Sequence, residues 1–132
     1  MPEYQNKNTE NTHYTTKIIL LVEDDAAIAE LLVQMILQET PHHVFAVPDG
    51  PQALDIIGNV KPNLLILDYW LPTTYGTDLY DRLCAVEGEE QIPALMLSVN
   101  APLEEIRKRR MAFMKKPFDV DKLLEAIQTL LV

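Results

Sequence analysis

A chain of 132 residues, 48% of them apolar, has the material for a single buried core. Its longest apolar runs, such as Ile18–Val22, are too short to cross a bilayer, and the polar first sixteen residues do not read as a secretory signal. The lone cysteine, Cys84, excludes an internal disulfide framework and fits a reducing cytoplasm, while a net charge of −9 argues against nonspecific nucleic-acid binding.

That charge is uneven. Residues 1–99 carry four Lys/Arg against fifteen Asp/Glu (4 − 15 = −11), and residues 100–132 carry seven against five (7 − 5 = +2). Residues 1–16, rich in Asn, Thr and Glu and without periodicity, read as a polar mobile tail ahead of a domain over 17–132. Ile18–Val22 has the continuous apolar pattern of a strand covered on both faces. Ile28, Leu31, Leu32, Met35 and Ile36 then recur at the spacing of one helix face. His43–Val47 can form a second strand, with the His42-His43 pair exposed at its turn. Asp49 offers an N-cap, followed by Pro51 in the first turn and Gln52, for a helix to about Val60 that turns Ala53, Leu54, Ile57 and Val60 inward.

Residues 64–67 predict a third strand, and Gly76 ends an irregular loop before a helix over roughly 78–86. A fourth strand is expected over 93–97, with proline tolerated at its first position. A short helix over 102–111 and a brief strand over 112–114 follow. Asp119 caps a last helix whose apolar face is Val120, Leu123, Leu124, Ile127 and Leu131. Five βα units with buried strands predict an α/β fold, a doubly wound parallel sheet with helices on both faces. In such sheets ligand chemistry gathers beyond the carboxyl ends of the strands.

Glu23, Asp24 and Asp25 stand directly after the first strand, and Asp68 after the third. Carboxylates brought into one crevice repel and raise one another's pKa unless a cation relieves them. Hard oxygen donors without His or Cys suit Mg²⁺. Ser98 ends the fourth strand, and Lys116-Pro117-Phe118 follows the fifth. A hydroxyl and an ammonium aimed at an aspartate–metal centre can hold the oxygens of a phosphoryl group, in a reaction where the protein mainly positions groups and neutralises charge.

The segments LLVEDD, LLILDYWLPTTYG, IPALMLS and KKPF, in this order, resemble the receiver (CheY-like) family of two-component response regulators over roughly 17–132. The resemblance implies a five-stranded sheet of order 2-1-3-4-5, the flavodoxin/CheY-like arrangement. It implies Asp68 as phosphoacceptor, Asp24 as a direct Mg²⁺ ligand with Glu23 assisting, and the Trp70 backbone carbonyl as a further ligand. Ser98 would bond the phosphoryl group and Lys116 would pair with it, aimed by a cis Lys116–Pro117 bond.

The chemistry implied is in-line transfer from a phosphohistidine of a sensor histidine kinase or phosphotransfer protein. Self-catalysed hydrolysis follows, so the chain is a phosphoacceptor rather than an enzyme with a separate substrate. Ser98 would move, Phe113 would follow, and the face of helix four, strand five and helix five would be remodelled for an output partner or a homodimer. Neither nucleic acid nor membrane is an implied partner.

The chain departs from the family between Ser98 and Lys116, where it is short and Arg110-Met111-Ala112-Phe113 replaces the usual Gly-Ala-Asp-Asp-Tyr. Helix four or the loop after it is therefore expected to be truncated. Its Arg107-Lys108-Arg109-Arg110 run reads as a solvated face, or else as a docking site for an acidic partner. Trp70 and Val99 are expected to overhang the phosphoryl site. Two other readings compete, and a third, a flavodoxin-like cofactor binder, is disfavoured because the acidic loop after the first strand would repel a phosphate. One is a degenerate receiver acting as a constitutive interaction module. The other is a haloacid-dehalogenase-type phosphatase, which would need an Asp where Trp70 stands. With no effector domain after Val132, the chain reads as a stand-alone regulator or an excised domain.

Overall fold

The apolar runs become five parallel strands: β1 (Ile18–Val22), β2 (His43–Val47), β3 (Leu64–Asp68), β4 (Ala94–Ser98) and β5 (Ala112–Lys115). The computed structural model describes residues 15–88, 91–109 and 111–132. Most of the expected polar tail, and Arg110 of the basic run, lie outside the described residues. The sheet order is β2-β1-β3-β4-β5, as expected. The crossovers are α1 (Ala26–Glu39), α2 (Gly50–Val60), α3 (Gly76–Glu87) and α4 (Leu103–Arg107), and α5 (Val120–Leu130) closes the fold.

Side chains of successive strand residues point to opposite faces, and this divides the core in two. Leu20, Val22, Leu65, Leu67 and Met96 pack under α2, α3 and α4, with Ala53, Ile57, Leu79, Leu83 and Ile106. Ile19, Leu21, Leu64, Ile66 and Leu97 pack under α1 and α5, with Leu32, Ile36, Leu123 and Ile127. Every residue of β3 and β4 is buried, because both strands have neighbours on each side and helices above and below.

Helix starts follow the capping rule. Asp49 accepts from the Gln52 amide at 2.9 Å, and Asp119 accepts from the Asp121 and Lys122 amides. Asp25, expected in the acidic crevice, instead caps α1 by accepting from Ala27 and Ile28 at 3.0 and 3.1 Å. The helix expected over 78–86 begins at Gly76, where an added Cβ would meet the Asp68 carbonyl oxygen far inside contact distance and the Tyr69 Cα at 3.0 Å. Only glycine lets α3 approach β3 so closely.

Several expectations need correction. Leu31 and Val120, assigned inward by periodicity, are 51% and 42% exposed. The helix expected over 102–111 is only Leu103–Arg107, and it carries one buried residue, Ile106. The His42-His43 pair is not a free turn. His43 opens β2, and the half-buried His42 accepts at Nδ1 from the Lys17 amide at 3.1 Å. Burial, then the nearby Lys17 and His43 charges, hold the His42 imidazole below its ordinary pKa. No helix among the described residues is long and apolar enough to cross a membrane.

Candidate functional site

Strand register assembles the site. Val22 pairs with Leu67, so Glu23, one residue beyond β1, stands beside Asp68 at the end of β3. Asp68 pairs with Leu97, and Ser98 pairs with Lys115. The Lys116 amide continues that ladder by donating to the Ser98 carbonyl at 2.9 Å, which directs the next side chain across the strand ends.

Lys116 Nζ donates to Glu23 Oε1 at 2.5 Å and to Asp68 Oδ2 at 3.3 Å. The other oxygen of Asp68, Oδ1, accepts from the Trp70 amide at 3.2 Å, and Glu23 Oε2 accepts from the Asp25 amide at 3.1 Å. Glu23 and Asp68 are buried and Asp24 is exposed. One carboxylate oxygen from each of the three lies within 4.8 Å of the others. Burial raises the Glu23 pKa, with Lys116 opposing. Burial acts to lower Lys116, but the Glu23 hydrogen bond and charge, followed by Asp68, outweigh it and raise the ammonium. Lys116 thus pairs with two of three clustered carboxylates, an imbalance that favours a cation. Three hard oxygens without His or Cys form the donor set that Mg²⁺ prefers.

The Lys116–Pro117 bond is cis, as the resemblance implied. Phe113 is half-buried against the α2–α4 side of the core. Ser98 is fully buried, and its hydroxyl donates to the Asn100 carbonyl at 3.2 Å. The same carbonyl accepts from Trp70 Nε1 at 2.5 Å. Trp70 is half-exposed, and it meets Tyr69 and Tyr75 edge-on at 4.9 and 5.7 Å. Asn100 was absent from the sequence-based site, because a backbone carbonyl leaves no signature in the residue type.

Leu31 and Val120 owe their exposure to an apolar groove beside Lys116, which they line with Ile28, Val99, Pro117 and Phe118. On the other side of the site, α4 is tied to α3 by Arg109, just past the helix end. Its Nε and Nη2 donate to the two Asp81 carboxylate oxygens at 2.9 and 2.8 Å, and Nη1 donates to Glu105. Within the basic run, then, Arg109 is committed to holding the shortened helix, and Lys108 pairs with Glu105 at 3.0 Å.

The response regulator receiver domain family matches residues 19–128. The chain belongs to this family. Among curated relatives of this receiver domain, the sporulation initiation phosphotransferase F of Bacillus subtilis is 26% identical over 114 residues, covering 83% of this chain and 90% of the relative. The DNA-binding dual master transcriptional regulator RpaA of Synechocystis is 32% identical over 120 residues, but this chain spans only 48% of its length. A solved CheY-like receiver domain from Methanospirillum hungatei superposes with a TM-score of 0.78 at 29% identity, covering 89% of this chain and 94% of that one. The fold also matches a Vibrio cholerae chemotaxis protein, with a TM-score of 0.79 at 22% identity, covering 88% and 99%.

Proposed function

We propose that this receiver domain accepts a phosphoryl group on Asp68 from the phosphohistidine of a sensor histidine kinase or phosphotransfer protein. The observation that carries this reading is the buried Asp68 carboxylate, with Oδ1 fixed by the Trp70 amide and Oδ2 facing Lys116 inside an acidic cluster. Glu23, Asp24, Asp68 and the Trp70 backbone carbonyl would hold Mg²⁺, which supplies charge neutralisation when bound. A carboxylate oxygen of Asp68 forms the new P–O bond as the donor's P–N bond breaks. Lys116 can turn from Glu23 to the transferred oxygens, and Ser98 can offer its hydroxyl to another. A positioned water later attacks the phosphorus, releasing inorganic phosphate and returning Asp68 to the free carboxylate, with no separate substrate turned over.

The donor must bring its phosphohistidine to Asp68. The apolar groove of Ile28, Leu31, Val99 and Val120 at the rim suits that protein's surface. Movement of Ser98, followed by Phe113, would alter the face formed by α4, β5 and α5, where an output partner or a second copy would bind. The unit that works in this way is 17–132, in a reducing cytoplasm that keeps Cys84 a thiol. The five-residue α4 favours one second reading, a degenerate receiver that binds its partner constitutively.

Acetyl phosphate with Mg²⁺ separates the two. The expected product is one phosphoryl group per chain, stable to acid and labile to hydroxylamine, that is lost in Asp68→Asn. The same label persisting in Asp68→Asn overturns the assignment, and an unlabelled parent supports the constitutive module.

A further inference from the structure

We propose that Trp70 is a positioning residue for the switch, acting through the Asn100 carbonyl to hold the Ser98 hydroxyl in its resting orientation. The inference rests on the phosphoacceptor reading and adds an element of control to it. A fully buried hydroxyl needs a partner, and at rest Ser98 has Asn100 O at 3.2 Å. A carbonyl oxygen has two lone pairs and can serve two donors. The second donor is the Trp70 indole N–H at 2.5 Å, reaching from the loop after β3 to the loop after β4, thirty residues along the chain.

Burial does not explain why the indole sits there, because Trp70 is 52% exposed. It is oriented by two edge-on aromatic contacts and by this hydrogen bond. Tyr69 and Tyr75 stack on each other at 5.1 Å and form the wall against which it rests. Trp70 is also linked to the acceptor itself, since its own amide donates to Asp68 Oδ1. One residue therefore touches the acceptor with its backbone and the switch loop with its side chain.

A phosphoryl group on Asp68 would compete for the Ser98 hydroxyl, and a charge-assisted bond is the stronger one. To deliver the hydroxyl, the loop after β4 must let go of the geometry that the indole stabilises. Trp70 thus opposes the switch, and removing its N–H should ease activation.

The test uses the full chain, with beryllofluoride and Mg²⁺ as the phosphoryl mimic. Trp70 is the only tryptophan, so its indole N–H gives a single resonance. Slow exchange with solvent is expected at rest, and faster exchange once the mimic binds. Trp70→Phe keeps an aromatic ring and removes the donor. It should raise the apparent beryllofluoride affinity about threefold to tenfold, the worth of one net hydrogen bond. In a Ser98→Ala background the same change should gain nothing, which a general packing role would not produce.

An indole exchanging freely at rest overturns the proposal, as does an unchanged or lowered affinity in Trp70→Phe, or an equal gain without Ser98. If the parent binds no beryllofluoride, the phosphoacceptor reading fails by itself. The Ser98 side-chain carbon shift then decides, and it must differ between Trp70→Phe and the parent for the positioning role to stand.

Discussion

The two sides of the site are built in different ways. Asp68 and Ser98 end strands that are buried at every position, and Glu23 extends a strand with a single half-buried residue. Across the crevice, the α4–β5 side rests on a five-residue helix with one buried side chain and on a strand buried at none of its positions. Apolar packing holds the strand backbones of the first side in a single geometry, so that of Ser98 it is the hydroxyl that turns. The second is held by directional polar contacts, the Arg109 fork and the Asn100 carbonyl, which can be exchanged at low cost. The acceptor side suits chemistry that needs fixed distances, and the switch side suits movement.

The largest break in this comparison is expected at Gly76. A methyl group there would collide with the backbone of Asp68 and Tyr69, and neither can yield without moving β3. Gly76→Ala should cost about 3 kcal/mol in urea unfolding, at the upper end of overpacking effects, and should slow labelling of Asp68. An unchanged midpoint would show that α3 can withdraw from the acceptor strand.

Next is the lifetime of the phosphorylated state. Val99 is 62% exposed at the rim beside Ser98 and the apolar groove, from where its branched side chain would hinder an approaching water. Decay after donor removal should take minutes or longer rather than seconds. Val99→Ala should accelerate it by up to about tenfold, or about 1.4 kcal/mol of barrier. Equal decay rates in the two proteins would remove the crowding argument.

On the switch side, Arg109→Met keeps the aliphatic stem and deletes the fork. Asp81 is half-exposed, so solvent screening limits the loss to about 1 kcal/mol. Calorimetry should register that loss while Asp68 labelling proceeds at the parent rate. A collapse in labelling would mean that the two sides are not separable.

The smallest effect lies far from both. His42 is held below its ordinary pKa, so its neutral form is favoured in the fold. Its contribution is complete above the unfolded value and disappears as pH falls through the lower folded one. Because the ring is partly solvated, a few tenths of a kcal/mol are at stake. Between pH 7 and 5 the parent's melting temperature should fall slightly more than that of His42→Gln. Parallel falls would leave the Lys17 amide contact without weight.

Much of this was legible in the chain itself. The strands stood out because a parallel sheet covered on both faces requires unbroken apolar runs, and Asp49 and Asp119 marked helix starts through their capping chemistry. Glu23, Asp24, Asp68 and Lys116 converge because each stands at or just beyond the carboxyl end of a strand. Other features could not be read this way. Periodicity records apolar side chains without saying what covers them, so Leu31 and Val120, which line a groove, looked like core. Asp25 was grouped with its acidic neighbours although its side chain caps α1. The resting partner of Ser98, a main-chain carbonyl two residues away, leaves no mark in the residue types. The extent of α4 was misjudged because a single buried side chain, Ile106, leaves no repeating pattern to measure.

The ion pair between Glu23 and Lys116 also has a consequence for how the molecule comes into being. Its partners are 93 residues apart in the chain. A ribosome releases the three carboxylates long before the ammonium that relieves them, and early strands can begin to associate during synthesis. Until β5 joins the edge of β4, any partly folded intermediate must bring Glu23 and Asp68 together uncompensated, or keep them apart. Docking of the last strand therefore completes the sheet and brings the ammonium to the crevice in one event, so the finished acceptor site arises only with the finished fold.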